Sequence, residues 1–269
     1  MSYTGAKEKY WEMRIQEQLE NDWKRTVREN KKELGKIYTQ AQEELSKELL
    51  FTLEKMLADK ASQDGLQVND LYRTNRYYRL LDYFQELAKA IGEKQYTLTE
   101  EALIDAYNEA QRLVMEYVPQ NLVQGRFLVP QAINAQQIVK QAWCADGKNF
   151  SDRIWTDKNK LLEDLPKILT DSIALGKSNF QIAAAMAERF ATSEYNAFRL
   201  VKTETAHFQV KGKLDKYKTM GFTHGRYVGT KCCDECKREN GKLHTLDELE
   251  KLLPKHPNCT CTFILEINK

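Results

Sequence analysis

Six cysteines and four histidines are the residues of this chain with the clearest chemistry. Cys144 stands alone beside Trp143 and reads as a small buried hydrophobe. Cys232, Cys233, Cys236, Cys259 and Cys261 crowd toward the end. Cys233 and Cys236 form C-x2-C; His256 and Cys259 form H-x2-C, with Cys261 two residues further on. Two short ligand pairs separated by roughly 20 residues have the spacing of a structural zinc site. Each pair aims two donors at one tetrahedral centre, with Zn–S near ~2.3 Å and Zn–N near ~2.0–2.1 Å. The candidate ligands are therefore Cys233, Cys236, His256, Cys259 and Cys261, five donors for four positions. Cys233, Cys236 and His256 are the preferred three, either Cys259 or Cys261 is the fourth, and Cys232 points away. Two alternatives stay open: buried free thiols with no metal, and a disulfide formed once the protein leaves the cell.

Other reactive arrangements are missing from the sequence. A catalytic zinc keeps an open position beside a general base, whereas thiolates suffice here to fill the shell. The zinc-deaminase pattern and H-E-x-x-H are absent, as are a P-loop, a dinucleotide fingerprint and a G-x-S-x-G elbow. His207 falls on a predicted helix and reads as packed or solvated. No catalytic residue is assigned, and the chain is read as a non-enzyme.

The elements that must position the cysteines are mostly helical. Gly (12) and Pro (5) are scarce in 269 residues, which favours long helices. Apolar residues at Leu34, Ile37, Tyr38, Ala41, Leu45, Leu49, Leu53 and Met56 recur at three- and four-residue steps, the mark of one buried stripe. The spacing predicts a helix from Lys7 to about Lys60, either single or broken at Gly35. Asp64-Gly65 reads as a turn. A helix from Asn69 to about Ala90 stops near Gly92. Its Tyr72, Tyr77 and Tyr78 pack inward, and Arg73, Arg76 and Arg79 stay solvated. Thr97 with Glu100 forms a capping-box pattern that starts another helix, ending before Pro119. Pro130 opens a short helix to Trp143. A helix from Ser151 to near Gly176 is kinked or divided at Pro166. Ser178 with Gln181 caps a helix to about Phe190, and a further helix runs from about Glu194 to Met220 with Gly221 as its stop. After Gly221 come short strands at Arg226–Val228 and Thr262–Leu265 around a helical piece from Thr245 to Leu253.

The fold class is thus mainly α with a small α+β C-terminal domain: a long helical region, then a compact cysteine-rich module stapled by zinc. The expected division is 1–142 for the helical part, which makes partner contacts, and 143–269 for the module, with its cysteine cluster at 232–261. The net charge of +2 is too small for a dedicated DNA binder. No run approaches the ~18 apolar residues that span a bilayer, so no membrane partner is expected.

The stretch Arg199-Leu200-Val201-Lys202-Thr203-Glu204-Thr205 resembles the R-L-V-[RK]-T-E helix of the phage Mu F-like minor head proteins. That helix is followed in the family by C-x2-C, an N-G or D-G turn and a terminal H-P-N-C-R-C. Here these read Cys233 to Cys236, Asn240-Gly241 and His256-Pro257-Asn258-Cys259-Thr260-Cys261. Phe150 to Trp155, Leu175 to Ser178, and Tyr10-Trp11 with Arg14 are similar to the Gram-positive phage branch. Thr260 replaces the usual Arg, and Gly229-Thr230-Lys231 replaces the usual acidic residue ahead of the first cysteine pair. Relatives that lack some of the cysteines make the metal an embellishment in this family.

The resemblance implies a minor head (minor capsid) protein carried in few copies inside the virion. It would sit at the portal vertex, contact the portal protein and packaged double-stranded DNA, and support head assembly, packaging or ejection. DNA contact would be weak and non-specific; a scaffold or major capsid protein is a further candidate partner. Read from the residues themselves, Glu204 beside an apolar helix face suggests a structural ion pair, with Arg199 or Arg226 as partner. Two rival functions, a zinc nuclease and a nucleic-acid-binding zinc module, would require histidines near a general base or a strongly basic face.

Overall fold

The computed structural model describes residues 3–60, 65–123, 134–229 and 233–266. Asp64, Pro130, Thr230, Lys231 and Cys232 lie outside the described residues. The elements run α1 (Tyr3–Ala58), α2 (Val68–Tyr72), α3 (Asn75–Tyr117), α4 (Ala135–Val139), α5 (Phe150–Ala174), α6 (Asn179–Thr219), β1 (His224–Val228), α7 (Asp234–Glu239), β2 (Leu243–Thr245), α8 (Leu246–Leu252) and β3 (Thr262–Glu266), with a 3-10 turn at Gln120–Leu122. A mainly helical chain with a small sheet near its C-terminus is what the periodicity predicts.

Several breaks that the sequence allows are absent. α1 passes through Gly35 without interruption. α3 runs unbroken through both Gly92 and the Thr97–Glu100 pattern. Thr97 is no cap: its hydroxyl donates to the Glu93 carbonyl one turn earlier, at 3.2 Å. Gly92 serves packing instead. A Cβ there would lie 2.7 Å from the Trp155 ring, closer than van der Waals contact permits. α5 carries Pro166 inside one helix, and α6 continues through Phe190 and Glu194. The short helix before Trp143 is α4, which ends at Val139 and is capped by Asn134, whose side chain accepts from Gln136 N at 3.0 Å. Of the three tyrosines near the start of α3, only Tyr77 packs inward; Tyr72 and Tyr78 are each 51% exposed. Cys144 is half-buried, not buried.

Local signals set the helix ends that the sequence does reveal. Ser178 and Gln181 form the reciprocal capping pair at the start of α6. At its end Gly221 has φ +87, a left-handed conformation that costs glycine little. Phe222 N reaches the Tyr217 carbonyl and Gly221 N the Lys218 carbonyl, each at 3.1 Å. This is a Schellman stop, with Phe222 packed edge-on against Tyr217.

The residues form two compact units. One comprises Lys31–Thr97 and Ser151–Phe198. Its core is the expected stripe of Leu34, Tyr38, Ala41, Leu45, Leu49, Leu53 and Met56 against matching stripes of α3, α5 and α6. On α5 that stripe reads Ile154, Lys158, Leu161, Leu165, Leu169, Ile173, all buried, so a lysine takes a leucine's place. Lys158 Nζ donates to Asp157 at 3.0 Å, to Ser193 Oγ at 2.8 Å and to the Tyr38 oxygen. Asn196 donates to the other Asp157 oxygen at 3.0 Å. A buried charge is tolerable only with such complete pairing.

The other unit comprises Met1–Asn30, Leu98–Phe150 and Arg199–Lys269. It holds the three-stranded antiparallel sheet in the order β2-β1-β3, with Tyr227 opposite Phe263. Its core gathers Trp11, Ile15, Leu19, Leu113, Val210, Leu214, Tyr217, Tyr227, Leu249 and Phe263. β3 is an edge strand, and an open edge is a liability. Helix side chains cover it. Glu12 Oε1 accepts from Leu265 N at 3.1 Å. Gln16 Nε2 and Lys213 Nζ each donate to the Phe263 carbonyl at 2.7 Å. Glu12 also accepts from Tyr217 Oη at 2.7 Å. Burial lowers the Lys213 ammonium to about 8, partly offset by Glu12.

Candidate metal centre

Cys233 is the N-cap residue of α7, and Cys236 lies one turn into that helix, fully buried. Both sulfurs face one imidazole. Cys233 Sγ lies 3.2 Å and Cys236 Sγ 3.3 Å from His256 Nε2. His256 Nδ1 is 2.9 Å from the Pro257 carbonyl. That bond requires the proton on Nδ1 and leaves the Nε2 lone pair aimed at the thiols, the arrangement typical of a metal-binding histidine.

The H-P-N-C segment is a tight turn. Cys259 N donates to the His256 carbonyl at 3.0 Å, and Asn258 has φ +64. Proline in second place followed by a left-handed residue is the type II pattern, and Asn tolerates that conformation better than most residues. The turn brings the Cys259 sulfur 3.9 Å from that of Cys236. The donors fall into two overlapping groups, Cys233 with Cys236 and His256, and Cys236 with Cys259 and Cys261. Cys236 belongs to both. The cluster is therefore positioned to bind a metal ion.

The thiols push one another's protonation in opposite directions. Cys259 is lowered to about 5, chiefly by the hydrogen bond from Cys261. Cys261 is raised by that same contact and by burial. Cys236 is raised to about 11 by burial. Amides stabilise the Cys233 thiolate, that of Cys236 foremost. Tyr227 Oη is buried among these sulfurs without a hydrogen-bond acceptor within normal geometry. A thiolate bound to a cation would supply that acceptor, so the donor set and its surroundings fit a metal.

The Thr203-Glu204 helix holds this centre in place. Thr203 Oγ1 donates to the Arg199 carbonyl at 2.8 Å and accepts from Asn258 N at 3.0 Å. Glu204, 2% exposed, accepts from Trp143 Nε1 at 2.8 Å. Trp143 stacks on His207 with centroids 4.1 Å apart, and His207 Nδ1 lies 3.2 Å from the Leu253 carbonyl. Burial lowers His207 to about 4, so it is a neutral packed ring. Arg226 forks onto Glu266, at 2.7 and 2.9 Å. The indole of Trp143 and the turn amide of Asn258 escape a sequence reading, because each meets its partner across a long stretch of chain.

Residues 163–264 match the family model described as Phage Mu protein F like protein. The segment is phage Mu F-like. That family is one of phage head morphogenesis proteins, and the match spans well under half of the chain. The Mu F-like segment contains the Thr203-Glu204 helix, all four described cysteines of the centre, and His256. No curated protein and no solved structure matches the chain. Among the described residues no helix is long and apolar enough to cross a membrane.

Proposed function

We propose that this chain is a minor head protein that works by attachment and not by turnover. It sits in few copies at the portal vertex, contacts the portal protein and packaged DNA, and supports assembly, packaging or ejection. Zinc in the cysteine-histidine cluster serves as a structural staple. The observation that carries this reading is the bond between Asn258 and Thr203 inside the Mu F-like segment. It joins the two family motifs across 55 residues of chain.

The chemistry around the cluster supports a structural role. Thiolates and imidazole are the donors that zinc prefers in closed sites. The nearby acids are engaged elsewhere. Glu239 meets Lys242 at 3.3 Å and His244 at 3.4 Å, and Glu235 faces Lys255 at 3.8 Å. The hollow beside Trp143 and His207 is lined by Lys211, Asp247 and Glu250, whose charges are paired: Lys211 with Asp215 and Glu250, and Lys218 with Asp247 and Glu250. A net charge of +2 suits weak, salt-sensitive DNA contact.

The test is purification of the portal ring from cells producing the particle, with quantitative mass spectrometry of finished virions. The expected result is co-purification of this chain with the portal and a low copy number per head. Its absence from virions, or nicking of a plasmid by the pure protein with Mg²⁺ or Mn²⁺, would overturn the proposal.

A further inference from the structure

We infer that the metal shell consists of Cys233, Cys236, His256 and Cys259, and that Cys261 stands outside it as a positioning residue. This inference rests on the metal reading of the cluster and decides between its two candidate fourth ligands.

A tetrahedral zinc with the usual bond lengths has S···S edges of roughly 3.8 Å and S···N edges of roughly 3.6 Å. Three such edges are nearly in place. They are the 3.2 Å and 3.3 Å contacts of His256 Nε2 with Cys233 and Cys236, and the 3.9 Å contact of Cys236 with Cys259. Together they link these four residues into one chain of contacts. His256 and Cys259 are also the two ends of one hydrogen-bonded turn, so they approach the ion as a unit.

Cys261 is placed differently. It immediately precedes β3, whose register against β1 is fixed from Thr262 onward. It lines a cavity of about 170 Å³ together with Leu19, Trp23, Val210, Lys213 and Val228. None of the other four donors lines that cavity. Its remaining neighbours are the Cys259 and Cys236 sulfurs, the three sulfurs lying within 4.8 Å of one another, and the Tyr227 hydroxyl. From there the Cys261 S–H can donate to the Cys259 thiolate, and Tyr227 Oη can donate to that of Cys236. Both are outer contacts of the kind that orient ligands and tune metal affinity.

The experiment reconstitutes the full-length protein with Co²⁺ and records the sulfur-to-cobalt charge-transfer absorption, which scales with the number of bound thiolates. Cys261→Ser is expected to keep one Co²⁺ per chain and the full three-thiolate intensity, with affinity reduced by about 10–100-fold at most. Cys259→Ser is expected to lose about a third of the intensity and to bind far more weakly. Should Cys259→Ser fail to fold by circular dichroism, Cys259→His keeps a donor at that position. It is expected to hold Co²⁺ with two-thirds of the intensity, whereas Cys261→His leaves the spectrum unchanged. Loss of a thiolate signal in Cys261→Ser with retention in Cys259→Ser would overturn the assignment. Failure of the wild-type protein itself to bind Co²⁺ or Zn²⁺ would instead overturn the metal reading on which the assignment rests.

Discussion

The backbone amide of Asn258 donates to the hydroxyl of Thr203 across 3.0 Å. This single bond spans 55 residues of sequence. It fixes the turn that presents His256 and Cys259 to the helix that also carries Glu204. A hydroxyl serves well here because it donates to its own helix, at the Arg199 carbonyl, while accepting from the turn.

Thr203→Val keeps the side-chain shape and removes both bonds. The Asn258 amide is left without its acceptor in a half-buried setting, which costs about 1–3 kcal/mol. Urea unfolding should report a loss of that size, with weaker metal binding because the turn is released. A variant as stable as the parent would remove Thr203 from its structural role.

Glu204→Ala deprives the Trp143 indole of its acceptor at 2.8 Å. Hydrogen bonds to a charged acceptor are worth about 1.5–3 kcal/mol. A drop in melting temperature is expected, accompanied by changed tryptophan fluorescence as the Trp143–His207 stack loosens. An unchanged melting temperature would count against Glu204 as a structural anchor.

His207 makes stability depend on pH. Its folded value of about 4 lies below the ordinary 6.5 because burial disfavours the charged ring. Between those values the unfolded chain binds the extra proton, so stability is complete above about 6.5 and is lost as pH falls toward 4. The shift corresponds to about 3 kcal/mol. His207→Gln retains a donor for the Leu253 carbonyl and should flatten the stability curve across pH 4 to 6.5. An equally steep acid loss in this variant would assign the effect to other groups.

Two glycines should respond to alanine with opposite signs. A Cβ at Gly212 would lie 2.4 Å from the Tyr107 carbonyl oxygen. Backbone cannot yield cheaply, so overpacking of about 1–3 kcal/mol outweighs the helix preference of about 1 kcal/mol. At Gly35 the nearest atom is the flexible Glu194 carboxylate at 3.5 Å. Gly35→Ala should therefore stabilise by about 0.5–1 kcal/mol. Thermal melts of the two variants check both signs.

These contrasts show what the sequence makes legible. The Ser178–Gln181 cap and the Gly221 stop are visible because each works within a few residues. The cysteine-histidine cluster is visible because metal geometry restricts ligand spacing. The Thr97–Glu100 pattern has the same letters as a cap yet lies inside α3, where Gly92 packs against Trp155. Tertiary packing overrode the local signal there. The indole that meets Glu204 and the strand amide that meets Glu12 could not be read. A carboxylate's choice among a distant indole, a strand amide and an arginine depends on chain paths that no periodicity records.

The proposed role of the cysteine-histidine cluster is that of a structural staple for the sheet module. Calorimetry of the protein purified without chelator, before and after metal removal, tests it most directly. One zinc per chain and a melting temperature that falls on chelation and returns with Zn²⁺ are the predicted results. A metal-free protein whose melting curve is unchanged by chelator and by added Zn²⁺ would contradict the account.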